Sequence, residues 1–272
     1  MARPRRARLD TELVRRGLAG SRAEAQRLIA EGRVTVAGAP AAKPAAQVSP
    51  AEALVVAPAG ESWASRGGHK LAGALDELGV APAGRRCLDA GASTGGFTDV
   101  LLTRGAAHVV AVDVGYGQLV WRLASDDRVT VRDRTNVRHL RAADLPGPAP
   151  DLVVADLSFI SLTLVVPALR RCAAPEADLV LLVKPQFEAG VSRVGKGGVV
   201  RDPAVWEAAL RDVAEAARAQ ALATAGACAS SLPGPSGNVE FFLHLRAGVA
   251  DRLDAVIGDA LATARELVRR GR

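Results

Sequence analysis

Short unbroken apolar runs, bounded by charges and separated by amphipathic stretches, constrain this chain more than any other feature. Asp151-Leu-Val-Val-Ala-Asp156 and Asp178-Leu-Val-Leu-Leu-Val183 are examples. Runs without polar alternation fit strands buried on both faces, the condition of a parallel sheet covered by helices. Strands are expected at 87–92, 108–114, 129–132, 151–157 and 178–183, with a last one at 239–246. Amphipathic helices are expected at 71–78, 98–104, 162–170, 205–221 and 250–270, the fourth introduced by Asp202-Pro203. The pattern predicts an α/β fold with a doubly wound sheet. With 49% apolar residues but only 3% aromatics, Ala, Val and Leu must fill its core.

Charge divides the chain. Residues 1–60 hold ten Lys/Arg against five Asp/Glu, whereas the remainder holds 25 against 24. Such asymmetry points to a small polyanion-binding module joined to a nearly neutral catalytic body. Leu9, Leu13 and Val14 share a helical face closed by Gly17. Ser21-Arg22-Ala23-Glu24 reads as a capping box, followed by Ala25, Leu28 and Ile29 on one face and Gly32 as a stop. Val34 and Val36 before the Gly38 turn, and Leu54-Val55-Val56, read as short strands. The expected division is a small α+β domain at 1–58, a linker at 59–66 and the main domain at 67–272.

Cys87, Cys172 and Cys228 form no C-x-x-C motif and read as buried free thiols of a reducing cytoplasm. The four histidines lack metal-ligand spacing, so no metal is expected. The basic start is followed by no apolar signal core, and no run reaches the roughly 18 residues of a membrane span. A cytoplasmic protein without membrane association is expected.

Two groups carry chemistry. The first is the loop Asp89-Ala90-Gly91-Ala92-Ser93-Thr94-Gly95-Gly96-Phe97, which joins a strand to a helix. Its glycines permit a sharp turn and close approach of a ligand, but their spacing is not G-x-G-x-x-G. Asp113 ends the next strand, where an acid can accept hydrogen bonds from ribose hydroxyls. The second group is Lys70, Asp156, Lys184 and Glu240. Asp156 and Lys184 end buried strands, Glu240 opens the last strand, and Lys70 precedes the first helix of the main domain. At one crevice rim, two lysines and two carboxylates can remove a proton from a weak nucleophile, with Lys184 as base beside Lys70 and the acids fixing geometry.

Residues 8–38 resemble the S4 RNA-binding domain, which implies RNA phosphate contacts from Arg6, Arg8, Arg22 and Lys43. The glycine loop with Asp113 resembles the S-adenosyl-L-methionine site of class I methyltransferases. That likeness implies donor contacts from Asp89, Gly91, Ser93, Thr94, Gly95, Gly96, Phe97 and Asp113, and from Asp133 and Asn136 at the adenine edge. Phe159 is read either as packing on donor or target base or as a core aromatic. The order lysine, loop, aspartate, lysine, glutamate matches the tetrad of FtsJ-like ribose 2′-O-methyltransferases. With Ser65-Arg66-Gly67-Gly68-His69-Lys70-Leu71 and Leu232-Pro233-Gly234-Pro235-Ser236-Gly237-Asn238-Val239-Glu240, the chain resembles the TlyA-type family, also called haemolysin A. The resemblance implies cytidine 2′-O-methylation of 16S and 23S ribosomal RNA in 30S and 50S subunits, a modification tied to capreomycin sensitivity. The family's linker tetrapeptide Arg-Ala-Trp-Val is replaced here by Ser62-Trp63-Ala64. Competing readings are a catalytically silent RNA-binding factor, a haemolysin, and an S4-bearing pseudouridine synthase suggested by Arg8-Leu9-Asp10. For Asp10, helix capping is the simpler expectation.

Overall fold

The computed structural model describes residues 6–30, 32–41, 43–56, 63–190, 193–195 and 197–270. Residues 57–62, which include the first half of the expected linker at 59–66, lie outside the described residues. The chain divides into two compact units, one of residues 1–66 with 266–272 and the other of residues 67–265.

The smaller unit opens with β1 (Ala7–Arg8), α1 (Leu9–Arg15) and α2 (Arg22–Ala30). Strands β2 (Val34–Val36), β3 (Ala39–Pro40), β4 (Gln47–Val48) and β5 (Leu54–Val56) follow. β3, β2 and β5 form one small sheet, and β1 pairs with β4. The apolar stripes of both helices meet these strands, burying Leu9, Leu13, Ala25, Leu28, Ile29, Val34, Val48 and Leu54 in one cluster. Ser21 Oγ accepts the Glu24 N–H at 3.1 Å while Glu24 Oε2 reaches back to the Gly20 N–H at 2.7 Å, one residue earlier than a standard capping box. Asp10 does not cap α1. Arg8 holds the N-cap position without a side-chain capping bond, and Asp10 lies inside the helix.

The larger unit starts in α3 (Arg66–Leu78), then β6 (Arg86–Ala90), α4 (Gly96–Thr103), β7 (His108–Val112), α5 (Trp121–Ala124) and β8 (Val129–Arg132). It continues with β9 (Leu152–Ala155), α6 (Val166–Cys172), β10 (Asp178–Val183), α7 (Pro185–Glu188), α8 (Pro203–Arg218), β11 (Ala223–Ala229), β12 (Phe241–Arg246) and α9 (Leu253–Arg270). The seven-stranded sheet has the order β11-β12-β10-β9-β6-β7-β8. β10, β9, β6, β7 and β8 are mutually parallel, and β12 runs antiparallel to both β10 and β11. The chain fills the sheet outward from β6 on one side, then returns to β9 and fills the other. With the right-handed crossovers such sheets adopt, helices fall on opposite faces, and the reversal of strand order between β6 and β9 is where folds of this kind form a ligand crevice at their carboxyl ends. The expected doubly wound sheet is observed. Every residue of β9 and β10 is buried, as continuous apolar runs require.

Three local expectations are corrected. α3 begins at Arg66, so Lys70 lies within the helix rather than before it. The region read as one helix at 162–170 starts with a 3₁₀ turn, Leu162–Leu164, and α6 begins only at Val166, with Pro167 in its first turn. α5 and β11 lie where neither helix nor strand was expected. All three cysteines are buried free thiols, and burial pushes Cys87 and Cys228 up to about 12. Among the described residues, no helix is long and apolar enough to cross a membrane.

Candidate active site

Strand register brings the chemistry-bearing residues to one edge. Ala90 pairs with Ala155, so Gly91 and Asp156 leave the sheet side by side, and the Asp156 N–H donates to the Ala90 carbonyl at 3.0 Å. A Cβ on Gly91 would collide with the Asp156 carbonyl oxygen, and its φ of +92° also favours glycine. Val183 pairs with Phe241 across the antiparallel β10–β12 ladder, which sets Lys184 level with Glu240.

The four residues form two ion pairs. Lys184 Nζ lies 2.5 Å from Asp156 Oδ1, and Lys70 Nζ lies 2.5 Å from Glu240 Oε2. Each lysine thus meets one carboxylate. Lys70 and Glu240 are buried, and Glu240 Oε1 has no hydrogen-bond partner among the described residues. A Cβ on Gly234 would strike that oxygen, so the turn before β12 needs glycine to admit the carboxylate.

The glycine loop is held from the neighbouring strand. Asp113 Oδ2 accepts the Ser93 N–H at 2.8 Å, and its Oδ1 accepts the Gly115 N–H at 2.7 Å. Asp113 therefore braces the loop, and each oxygen can accept a further hydrogen bond. The loop turns through left-handed conformations at Gly91, Ser93 and Gly95 into α4. Gly95 occupies the N-cap of α4, where Leu119 and Leu123 leave no room for a Cβ. Thr94 is exposed, and its carbonyl accepts the Val120 N–H at 3.3 Å.

Asp89 is fully buried beneath the loop. The Thr98 hydroxyl donates to its Oδ2 at 2.7 Å, while Oδ1 has no partner among the described residues. Burial, reinforced by the Asp156 and Asp113 charges, raises its carboxyl to about 7. Phe97, grouped with the loop from sequence, instead turns its ring into the core, 6.2 Å from Phe242; only its backbone belongs to the loop. Asp133 Oδ2 accepts the Gly117 N–H at 2.8 Å. Asn136 Oδ1 accepts the Arg138 N–H at 3.0 Å and so caps a 3₁₀ turn. Phe159 is 91% exposed, which excludes the core alternative, and its ring lies 5.1 Å from Phe187.

Sequence reasoning missed three supporting residues. Ser158 Oγ accepts from Lys184 Nζ at 3.0 Å. Glu188 accepts from Ser161 Oγ and from the Leu162 N–H, tying α7 to the loop after Asp156. The Asn238 carboxamide accepts the Val200 N–H and donates to the Gly198 carbonyl, both at 2.8 Å. Placement two residues from a tetrad member was the available signal for Ser158 and Asn238. Nothing in the string marks Glu188.

In the small domain, Arg8 forms a bidentate pair with Asp10, which also accepts from Arg22 at 3.2 Å and Gln26 at 3.1 Å. These bonds hold the buried Asp10 carboxyl far below the usual range. Arg6 pairs with Glu52 at 3.0 Å, and Lys43 is exposed.

Residues 63–247 match the profile of the FtsJ-like methyltransferases. The chain belongs to that family. Residues 7–54 match the S4 domain, so this FtsJ-like enzyme carries the S4 fusion of the TlyA type. It is 60% identical over 243 residues to the 16S/23S rRNA (cytidine-2′-O)-methyltransferase TlyA of Mycobacterium tuberculosis, covering 89% of this chain and 90% of that one. A Brachyspira hyodysenteriae protein named Hemolysin A is 35% identical, with 87% and 98% of the two chains covered. The solved structure of a hemolysin-named Streptococcus thermophilus protein superposes with a TM-score of 0.77 at 34% identity, covering 98% of each chain. Among the described residues of this FtsJ-like methyltransferase, no group of side chains is arranged to hold a metal ion.

Proposed function

We propose that this enzyme methylates the 2′-hydroxyl of cytidines in 16S and 23S ribosomal RNA, acting on 30S and 50S subunits in the cytoplasm with S-adenosyl-L-methionine as donor. The observation that carries the reading is the edge of two lysine–carboxylate pairs beside the glycine loop, in a chain 60% identical to a relative named for that reaction.

The residues present fit a cationic donor. Asp89, Asp113 and Asp156 gather at the strand ends, and the buried, unpartnered Asp89 Oδ1 can accept a hydrogen bond from an ammonium group. Gly91, Ser93, Thr94, Gly95, Gly96 and the Phe97 backbone would line the loop, with Asp113, Asp133 and Asn136 toward ribose and base. The donor supplies an electrophilic methyl group and keeps the carbon–sulfur electron pair as the methyl leaves. The chain's residues do the rest. Lys184, in its neutral form, accepts the 2′-proton while Asp156 orients its amine; Lys70, held by Glu240, contributes positive charge beside the developing oxyanion. Phe159 presents an exposed ring beside the target nucleotide. Arg6, Arg8, Arg22 and Lys43 supply the basic face for RNA phosphates.

The test is to incubate 30S and 50S subunits lacking ribose methylation with the enzyme and donor, then map 2′-O-methyl sites by primer extension. Stops at cytidines in both 16S and 23S RNA are expected. Stops in neither RNA, with donor binding intact by calorimetry, would leave a silent RNA-binding factor as the better account. Lys184→Ala should lose about 10²–10⁴-fold in turnover, and Lys184→Arg should not rescue, because guanidinium stays protonated.

A further inference from the structure

We propose that Ser158 is a positioning residue for Lys184, fixing the direction in which its amine meets the target hydroxyl. The inference rests on Lys184 acting as the base.

A neutral amine has two N–H bonds and one lone pair set tetrahedrally about nitrogen. On Lys184 the structure provides two acceptors, Asp156 Oδ1 at 2.5 Å and Ser158 Oγ at 3.0 Å. Filling both N–H directions leaves the lone pair a single direction. In the protonated amine, the same two acceptors hold two of its three N–H bonds and aim the third along that line. Proton transfer then breaks the ribose O–H bond and forms the third N–H bond from the amine's lone pair. The oxygen's electron pair forms the new O–CH₃ bond as the methyl group's bond to the donor sulfur breaks, leaving that pair on sulfur. With Asp156 alone, the amine at the end of a flexible four-carbon stem could turn about its Cε–Nζ bond and present an N–H instead.

The chain holds Ser158 in place from both sides. β9 ends at Ala155, and Asp156-Leu157-Ser158 carries the backbone out of the sheet. Phe159 follows at φ +64°, a left-handed conformation that is strained for a non-glycine residue and persists only where the surroundings over-determine it. Those surroundings come from α7, which directly follows Lys184. Phe187 packs against the Phe159 ring at 5.1 Å, and Glu188 binds Ser161 Oγ and the Leu162 N–H at 2.9 Å. The segment carrying the lysine thus grips the segment carrying its second acceptor. Ser158 is itself exposed, so removing its hydroxyl leaves no cavity in the core.

The experiment compares Ser158→Ala, Ser158→Thr and Lys184→Ala in the full-length chain. Readouts are methylation rate at saturating subunits and donor, KM for subunits, donor affinity by calorimetry, and thermal midpoint. Ser158→Ala should slow the saturating rate about 10–100-fold, the scale of a misaligned reacting group, with KM, donor affinity and midpoint unchanged. Ser158→Thr keeps the hydroxyl and should recover most of that rate. A Ser158→Ala enzyme at the parent rate, a loss confined to KM, or a threonine variant no better than alanine would each overturn the proposal. If Lys184→Ala keeps full turnover, the base assignment fails and takes this inference with it. If Lys184→Ala is inactive while Ser158→Ala is fully active, only this inference fails.

Discussion

Asp89 shows how a single buried residue couples the candidate site to folding. Its carboxyl is raised to about 7 mainly by burial, so the folded chain keeps a proton that the unfolded chain loses near pH 4. A carboxyl raised in the folded state contributes stability at low pH, and that contribution drains away as pH climbs from about 4 to about 7. Asp10 and Glu12 are shifted the opposite way by their arginines and act in the acid range below that window. Glu188 is also raised by burial, so the substitution must isolate Asp89. Asp89→Asn keeps the shape without the charge. Its thermal midpoint should fall less between pH 5 and pH 8 than the parent's, by up to a few kcal/mol of stability at about 1.4 kcal/mol per pKa unit. Parallel pH curves for the two proteins would remove Asp89 from this role. Tetrad residues were legible in the sequence because strand ends in a parallel sheet face a common crevice. Their pairing was not, since it depends on the Val183–Phe241 register and on where α3 begins. The direction of the Phe97 ring was not legible for a related reason: the 3.6-residue period of α4 carries it inward although its backbone adjoins the loop.

At the scale of elements, the two short helices of the small domain show which basic residues are committed and which remain available. Arg8 and Arg22 converge with Gln26 on the buried Asp10, and Arg15 and Arg16 both bind the buried Glu12. Arg22 and Gln26 thereby tie α2 to α1 through Asp10, while Arg15 and Arg16 bind Glu12 within α1 and Arg16 also reaches the Ser49, Pro50 and Glu52 carbonyls. Arg8→Ala and Arg22→Ala should therefore lower the thermal midpoint as well as RNA affinity, because Asp10 loses its donors. Lys43→Ala should leave the midpoint unchanged and reduce the log–log salt slope of subunit binding by about one. An Arg8→Ala protein with the parent's midpoint, measured by calorimetry, would count against this division. Strand β11 marks the limit of reading elements from the string. Its Ala-Thr-Ala-Gly-Ala-Cys-Ala has neither alternation nor branched residues beyond Thr224, and it becomes a strand through pairing with the apolar β12. β9 and β10 needed no such help, since their composition already demanded burial on both faces.

Across the whole molecule, charge and chemistry are separated along the chain, and ionic strength should separate them in kinetics. The excess positive charge lies in residues 1–60, ten basic against five acidic, while the remainder is nearly balanced at 25 against 24. Encounter with a ribosomal subunit should therefore follow the basic module, and each phosphate contact there releases counterions, worth about 0.7–0.9 of a log unit in affinity per tenfold change in salt. The four tetrad residues behave differently: both lysines already face a carboxylate at 2.5 Å, and Lys70 and Glu240 are buried. Salt screens exposed charges far more than buried pairs. Raising salt from about 50 to 200 mM should lower kcat/KM on subunits steeply, with a slope set by the number of phosphate contacts, while the rate at saturating subunits stays nearly level. Neutralising Lys43 should flatten the first dependence and leave the second untouched. A saturating rate that fell in parallel with kcat/KM would mean that salt reaches the proton-transfer step itself, and the charge excess could not then be assigned to binding alone.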